Sequence, residues 1–140
     1  MSRRKIVRVR DVMNPHYDVV DGAMTVKDAL VSMKHPENKC FIVEKRHVDD
    51  EFGLLLLSDV ARKVLADDRA SERVNVYEIM QKPIISVDPG MDIRYCARLL
   101  ERFELTRTPV IENNKVVGIV SFTELVLGGM RDRWERERGC

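Results

Sequence analysis

Long apolar runs are missing from this chain. The longest, such as Gly53-Leu-Leu-Leu-Leu57, fall far short of the roughly 20 residues needed to span a bilayer. The start carries Arg3, Arg4, Lys5, Arg8 and Arg10 without an acid, but no apolar core follows that would make it a signal segment. A soluble, unprocessed protein is expected. Cysteine is scarce: Cys40, Cys96 and Cys140 are an odd number without ligand spacing, which argues against a disulfide scaffold and a thiolate metal site. A reducing cytoplasm is the simplest fit. An excess of one charge is also lacking, because 24 Lys and Arg meet 23 Asp and Glu for a net charge of +1. No field of one sign covers the molecule, and nucleic-acid binding is not implied by its overall charge.

Catalytic signatures are absent too. His16, His35 and His47 fall in predicted turns or at helix ends and share no metal-ligand spacing with the cysteines. No glycine-rich phosphate loop or nucleophile elbow occurs. The expectation is a protein that is not an enzyme and has no obligatory cofactor. What the chain does have is 44% hydrophobic and 34% charged residues in 140, an ordinary globular balance.

Its organising stretch is Pro109 to Leu125. Val110 and Ile111 favour a strand, Asn113-Asn114 suits a type I′ turn, and Val116 to Val120 resumes the strand. Thr123 is expected to cap a helix that Glu124 and Leu125 open. The same shape occurs earlier, at near-constant spacing. Val12-Met13 corresponds to Ile79-Met80, Val20 to Val87 and Val26 to Ile93, each 67 residues on. Lys39 is aligned with Arg107 and Ile42 with Val110 at 68, while Gly53 meets Gly118 and Ser58-Asp59 meets Thr123-Glu124 at 65. The loss of three falls in Glu44 to Glu51, so the first copy has the longer hairpin turn, where insertions cost little.

In order, residues 1–8 form a basic arm, 9–66 the first repeat, 67–75 a polar connector, 76–127 the second repeat and 128–140 a charged tail. The first repeat reads as a strand at Tyr17 to Val20, a helix from Thr25 to Lys34, and strands at Cys40 to Val43 and Phe52 to Leu57. Ser58 is expected to cap the following helix, with Ala61, Val64 and Leu65 inward. The second reads as a strand at Ile84 to Val87 and a helix from Asp92 to about Phe103, with Ile93, Cys96, Ala97, Leu100 and Phe103 on one side. The Pro109–Leu125 unit follows. Gly128-Gly129 should interrupt the last helix; in the tail, Asp132 and Arg136 make an i,i+4 pair and Trp134 is a packing anchor.

The repeated order, with a Met-containing turn ahead of each copy, resembles the CBS domain, and the whole chain resembles a tandem CBS pair, or Bateman module. The carriers are Val9-Arg-Asp-Val-Met13, Thr25-Val-Lys-Asp-Ala-Leu30 and Gly53 to Asp59 in one copy. In the other they are Val76-Tyr-Glu-Ile-Met80, Ile84 to Pro89, Arg107 to Ile111 and Gly118 to Glu124. The resemblance implies an α/β (α+β) fold of two β-α-β-β-α repeats related by pseudo-two-fold symmetry and packed through their sheets. It also implies a homodimer.

It further implies a regulatory module that binds an adenosine-containing ligand (AMP, ADP, ATP or S-adenosylmethionine) in the inter-repeat cleft and signals to a partner protein. The family's ribose pattern is Gly, then Thr or Ser three residues on, then Asp after three more. Here the second copy has Gly118, Ser121 and Glu124, and the first has Gly53, Leu56 and Asp59. Arg107, with Lys39 as its counterpart, matches a position that faces phosphates, where guanidinium offers bidentate bonds and Lys a point charge. Ile84 and Ile85 would flank adenine, and Thr123 and Ser58 complete the candidate set. The blander reading pairs Arg107 and Lys39 with acidic neighbours and leaves Ser121 and Thr123 as helix caps. The alternative function is a ligand-independent dimerisation scaffold that docks a partner or nucleic acid through the basic arm or the charged tail.

Overall fold

The computed structural model describes residues 6–131. Arg3, Arg4 and Lys5 of the arm, the Asp132/Arg136 pair, Trp134 and Cys140 lie outside that range. In chain order the elements are α1 (Val9–Val12), β1 (Val19–Val20), α2 (Val26–Ser32), β2 (Cys40–Val43), β3 (Gly53–Leu56), α3 (Leu57–Val60), α4 (Val76–Ile79), α5 (Ile93–Arg102), β4 (Arg107–Glu112), β5 (Lys115–Ser121) and α6 (Phe122–Val126). Of the described residues, 6–16 and 85–131 make one compact unit and Tyr17–Ile84 the other. Repeats and packing units are therefore different cuts of the chain. The turn ahead of each repeat, α1 or α4, lies in the unit built mainly from the other copy.

In the Tyr17–Ile84 unit, β1 runs parallel to β2 and β2 antiparallel to β3. A parallel pair needs a crossover, and α2 supplies it. Thr25 caps that helix by accepting a hydrogen bond from the Asp28 amide at 3.1 Å. Its far end is held by the buried Asp18 carboxylate, which accepts from the amides of Lys34 and His35 at 2.9 and 2.8 Å. Both faces of β2 are covered, and Phe41, Val43 and Leu55 join Val26, Ala29 and Val64 in the core. The connector is part of this unit at its end: Val74 is 1% exposed and its carbonyl accepts from the Val26 amide at 2.8 Å.

In the other unit, β4 and β5 form the antiparallel pair, turned by Asn113 and Asn114 at φ of 52° and 62°. Two consecutive positive values are what a type I′ turn demands and what asparagine tolerates. The third strand is reduced to a bridge. Only Val87 pairs, parallel to Val110, and the expected strand from Ile84 does not form as such. The Ile85 carbonyl is instead taken by a side chain, the Thr108 hydroxyl at 2.6 Å. Strand Tyr17 to Val20 likewise shortens to Val19–Val20. Helix α5 buries Cys96 and Leu100, while Phe103, expected inward, is its C-cap and 53% exposed.

Each hairpin is roofed by its methionine turn. A Cβ on Gly118 would lie 2.8 Å from Met13 Sδ and 3.0 Å from the Asn14 carbonyl oxygen; one on Gly53 would lie 2.8 Å from Met80 Sδ. Two reciprocal bridges hold these roofs down, Asn14 with Ile119 and Gln81 with Leu54. The glycines of the ligand pattern expected from the sequence thus have a packing role in both units.

The helix after each hairpin continues as a π-helical turn, Ala61–Leu65 or Leu127–Arg131. Bonding to i+5 rotates the later side chains relative to an α-helix. This corrects the inward face expected for the first copy: Val64 is buried, but Ala61 and Leu65 are exposed, Leu65 by 77%. Gly128 and Gly129 fall in the second π turn, and a Cβ on Gly129 would collide with Ile93 Cδ1. Among the described residues no helix is long and apolar enough to cross a membrane.

Candidate functional site

The ladder between β4 and β5 places Arg107 opposite Ser121, so the two side chains leave the same face of the hairpin about 5 Å apart at Cβ. Ser121 is extended, with φ of −131°, and is the N-cap of α6. Its amide donates to Glu124 Oε1 at 2.9 Å and its hydroxyl donates to the same oxygen at 2.6 Å. Beside Arg107, Thr108 is 1% exposed and clamps the Ile85 carbonyl. Four of the candidate residues, Ile85, Arg107, Ser121 and Glu124, are therefore tied to one strand end by the ladder or by hydrogen bonds.

Thr123, expected as the cap, is not one. It sits in the first turn of α6, exposed, and the cap is Ser121 two residues earlier. The chain turns helical as soon as the ladder ends at Ser121, which leaves Thr123 with helical dihedrals and no capping geometry.

The equivalent rim of the Tyr17–Ile84 unit is built differently. Asp59 is 4% exposed; Gln81 Nε2 donates to its Oδ2 at 3.0 Å and Arg62 pairs with Oδ1 at 3.6 Å. Ser58 is exposed inside α3, and the N-cap of that helix is Leu56, which has no side-chain acceptor. The Ser58 cap is thus corrected for the same reason as Thr123. Ile84 ends this unit, half-buried.

Lys39 is exposed at φ of 57°, and its carbonyl accepts from the Leu57 amide at 3.0 Å. It is not the ladder counterpart of Arg107. Cys40 pairs with Leu56 as Arg107 pairs with Ser121, and Val43 pairs with Gly53 as Val110 pairs with Gly118. The spacing is 67 throughout the strand, and the insertion in the first hairpin is two residues. The structural partner of Arg107 is buried Cys40, so this rim has no cation at the position that Arg107 holds.

Sequence reasoning missed Thr108 and Gln81. Thr108 resembles any β-branched strand residue and gives no separate signal. Gln81 had one: it stands 67 residues after Asn14, directly behind the paired methionines, and both residues bridge the second strand of a hairpin. The remaining perturbed groups are structural. Burial pushes the Cys96 thiol up to about 11, which makes it a poor nucleophile. Hydrogen bonds from Arg94 hold the Asp92 carboxyl down at about 2. Among the described residues no group of three or more His, Cys, Asp and Glu side chains could hold a metal ion.

Residues 76–128 match the family model of the CBS domain. The CBS domain-containing protein YhcV of Bacillus subtilis (strain 168) is 27% identical over 123 residues, which span 87% of this chain and 85% of that protein. The hexameric CBS-CP12 protein from bloom-forming cyanobacteria superposes with a TM-score of 0.84 at 29% identity, over 96% of this chain and 83% of that one. The CBS domain pair of protein MJ0100, solved in complex with 5′-methylthioadenosine and S-adenosyl-L-methionine, shares the fold with a TM-score of 0.74 at 18% identity, over 96% of this chain and 99% of that one.

Proposed function

We propose that this chain, whose residues 76–128 match the CBS domain model and whose fold is shared with CBS pairs, is a regulatory module rather than a catalyst. It binds an adenosine-containing ligand (AMP, ADP, ATP or S-adenosylmethionine) at the rim of Ile85, Arg107, Ser121 and Glu124, and a partner protein reads the occupancy. The observation that carries this reading is the pairing of Arg107 with Ser121, whose hydroxyl is hydrogen-bonded to Glu124. A cation suited to phosphate shares a hairpin face with a hydroxyl whose carboxylate partner, on α6, completes a pair suited to a ribose diol. The Asp59 rim, with Leu56 and Cys40 at the matching positions, is the weaker candidate.

A thermal titration with the four ligands tests this. A ligand at 100 times its dissociation constant adds about 2.7 kcal/mol, which raises Tm by several degrees; an unmoved Tm with all four contradicts it. The Ser121–Glu124 bond also supports a second reading, in which these residues only close a helix and the chain is a ligand-independent scaffold. Self-association belongs to both readings. Val31 and Leu65 are 78% and 77% exposed, an exposure that a second copy would relieve. Light scattering decides it: a strictly monomeric mass contradicts the homodimer. A cytoplasmic location belongs to the same proposal.

A further inference from the structure

The Tyr17–Ile84 unit contains a cavity of about 400 Å³ made entirely from its own residues, within the range of small-molecule sites. Its apolar lining comes from Val43, Met80 and Tyr77, with Gly22 beside them. A Cβ there would sit 3.5 Å from both Tyr77 Cβ and Val43 Cγ1, so a side chain at that position would take up part of the space. The charged lining has both signs: Arg46 and Lys82 against Asp21, Glu44 and Asp50.

Asp50 is already spent. It pairs with Lys82 Nζ at 2.6 Å, accepts the Arg46 amide at 2.8 Å and lies 3.7 Å from Arg46 Nε. These bonds fix the long hairpin as a wall. They leave the Arg46 fork and two of the three Lys82 donors to face an anion, with Asp21 and Glu44 to balance a cation.

The other unit is an internal control. At the same 67-residue spacing Tyr77 becomes Arg10, Lys82 becomes Pro15 and Gly22 becomes Pro89, and the hairpin is closed by Asn113-Asn114 alone. The shared fold therefore does not require the residues that build this cavity.

We propose that the cavity is a ligand site for a small zwitterion with an apolar body, the chemistry of a free α-amino acid. The carboxylate lies toward Arg46 and Lys82, the ammonium toward Glu44 and Asp21, and the side chain on Val43, Met80 and Tyr77. This site is independent of the adenosine rim.

The test is a set of ¹H–¹⁵N correlation spectra of the full chain titrated with L-valine, L-leucine, L-methionine and L-phenylalanine. L-Leucine is compared with 4-methylpentanoate, which lacks the ammonium, and 3-methylbutylamine, which lacks the carboxylate. At least one amino acid should shift the amides of Gly22, Glu44 and Tyr77. For leucine, both analogues should bind at least about tenfold more weakly, and Arg46→Ala and Glu44→Gln should each weaken binding by a similar factor while the spectrum stays dispersed. No shift at these amides with any of the four overturns the proposal. So does an analogue that binds as well as leucine, because the site would then be a simple anion or cation pocket.

Discussion

Gly118 shows how a single residue can serve packing where a ligand pattern is expected. Met13 Sδ and the Asn14 carbonyl oxygen occupy the space a Cβ needs, and backbone cannot swing aside as a side-chain tip can. Gly118→Ala should cost about 1–3 kcal/mol, measured by urea unfolding with an unchanged m-value; a cost below about 0.5 kcal/mol contradicts the roof contact. Asp92 makes a second prediction at this scale. Its carboxyl lies at about 2 in the folded chain, against an ordinary value of 3.8, first through the Arg94 side chain and then through the Arg94 amide. A depressed folded value stabilises above the unfolded pKa and is lost as pH falls through the folded one. Wild type should therefore lose this contribution between about pH 4 and pH 2. Asp50 and Glu78 are lowered too, so the test is the difference: Asp92→Asn, which keeps a capping side chain, should show a shallower acid decline. Parallel declines contradict it.

At the scale of elements, the hairpin-to-helix junction is where sequence and structure part. The Asn113-Asn114 turn, the Thr25 cap and the paired strands were legible because each has its own local chemistry: positive φ, an S/T-x-x-D pattern, an apolar run. The cap of α6 was not, because Ser121, Thr123 and Glu124 offer two registers and only the end of the ladder chooses between them. Ser121→Ala should destabilise by about 1 kcal/mol, whereas Thr123→Ala should stay within about 0.5 kcal/mol; equal losses in thermal unfolding would restore Thr123 as the cap. The Lys39–Arg107 alignment failed for a related reason. A one-residue slip in a strand looks minor on the page but moves every side chain to the opposite face. The first strand of the second copy was over-read because β-branched Ile84 and Ile85 look like strand, while the partner of the Ile85 carbonyl, the Thr108 hydroxyl, lies 23 residues away.

At the scale of the molecule, duplication was visible in the sequence, but the exchange of leading turns was not. Repeat similarity tells which segments are equivalent, not which pack together, and α1 and α4 each lie in the unit formed mainly by the other copy. The two hairpins have since diverged in chemistry. One keeps Arg107 and Ser121 on a face, with Glu124 of α6 bonded to Ser121; the other has Cys40 and Leu56 at the matching positions and a longer, charged turn. The most direct test of the central claim is isothermal calorimetry of AMP, ADP, ATP and S-adenosylmethionine against the wild-type chain and Arg107→Ala. At least one phosphorylated ligand should bind wild type with a measurable heat and bind the variant at least about tenfold more weakly, at an unchanged melting temperature of the free chain. No heat with any of the four, or equal affinities for the two chains, would contradict a nucleotide held at that rim.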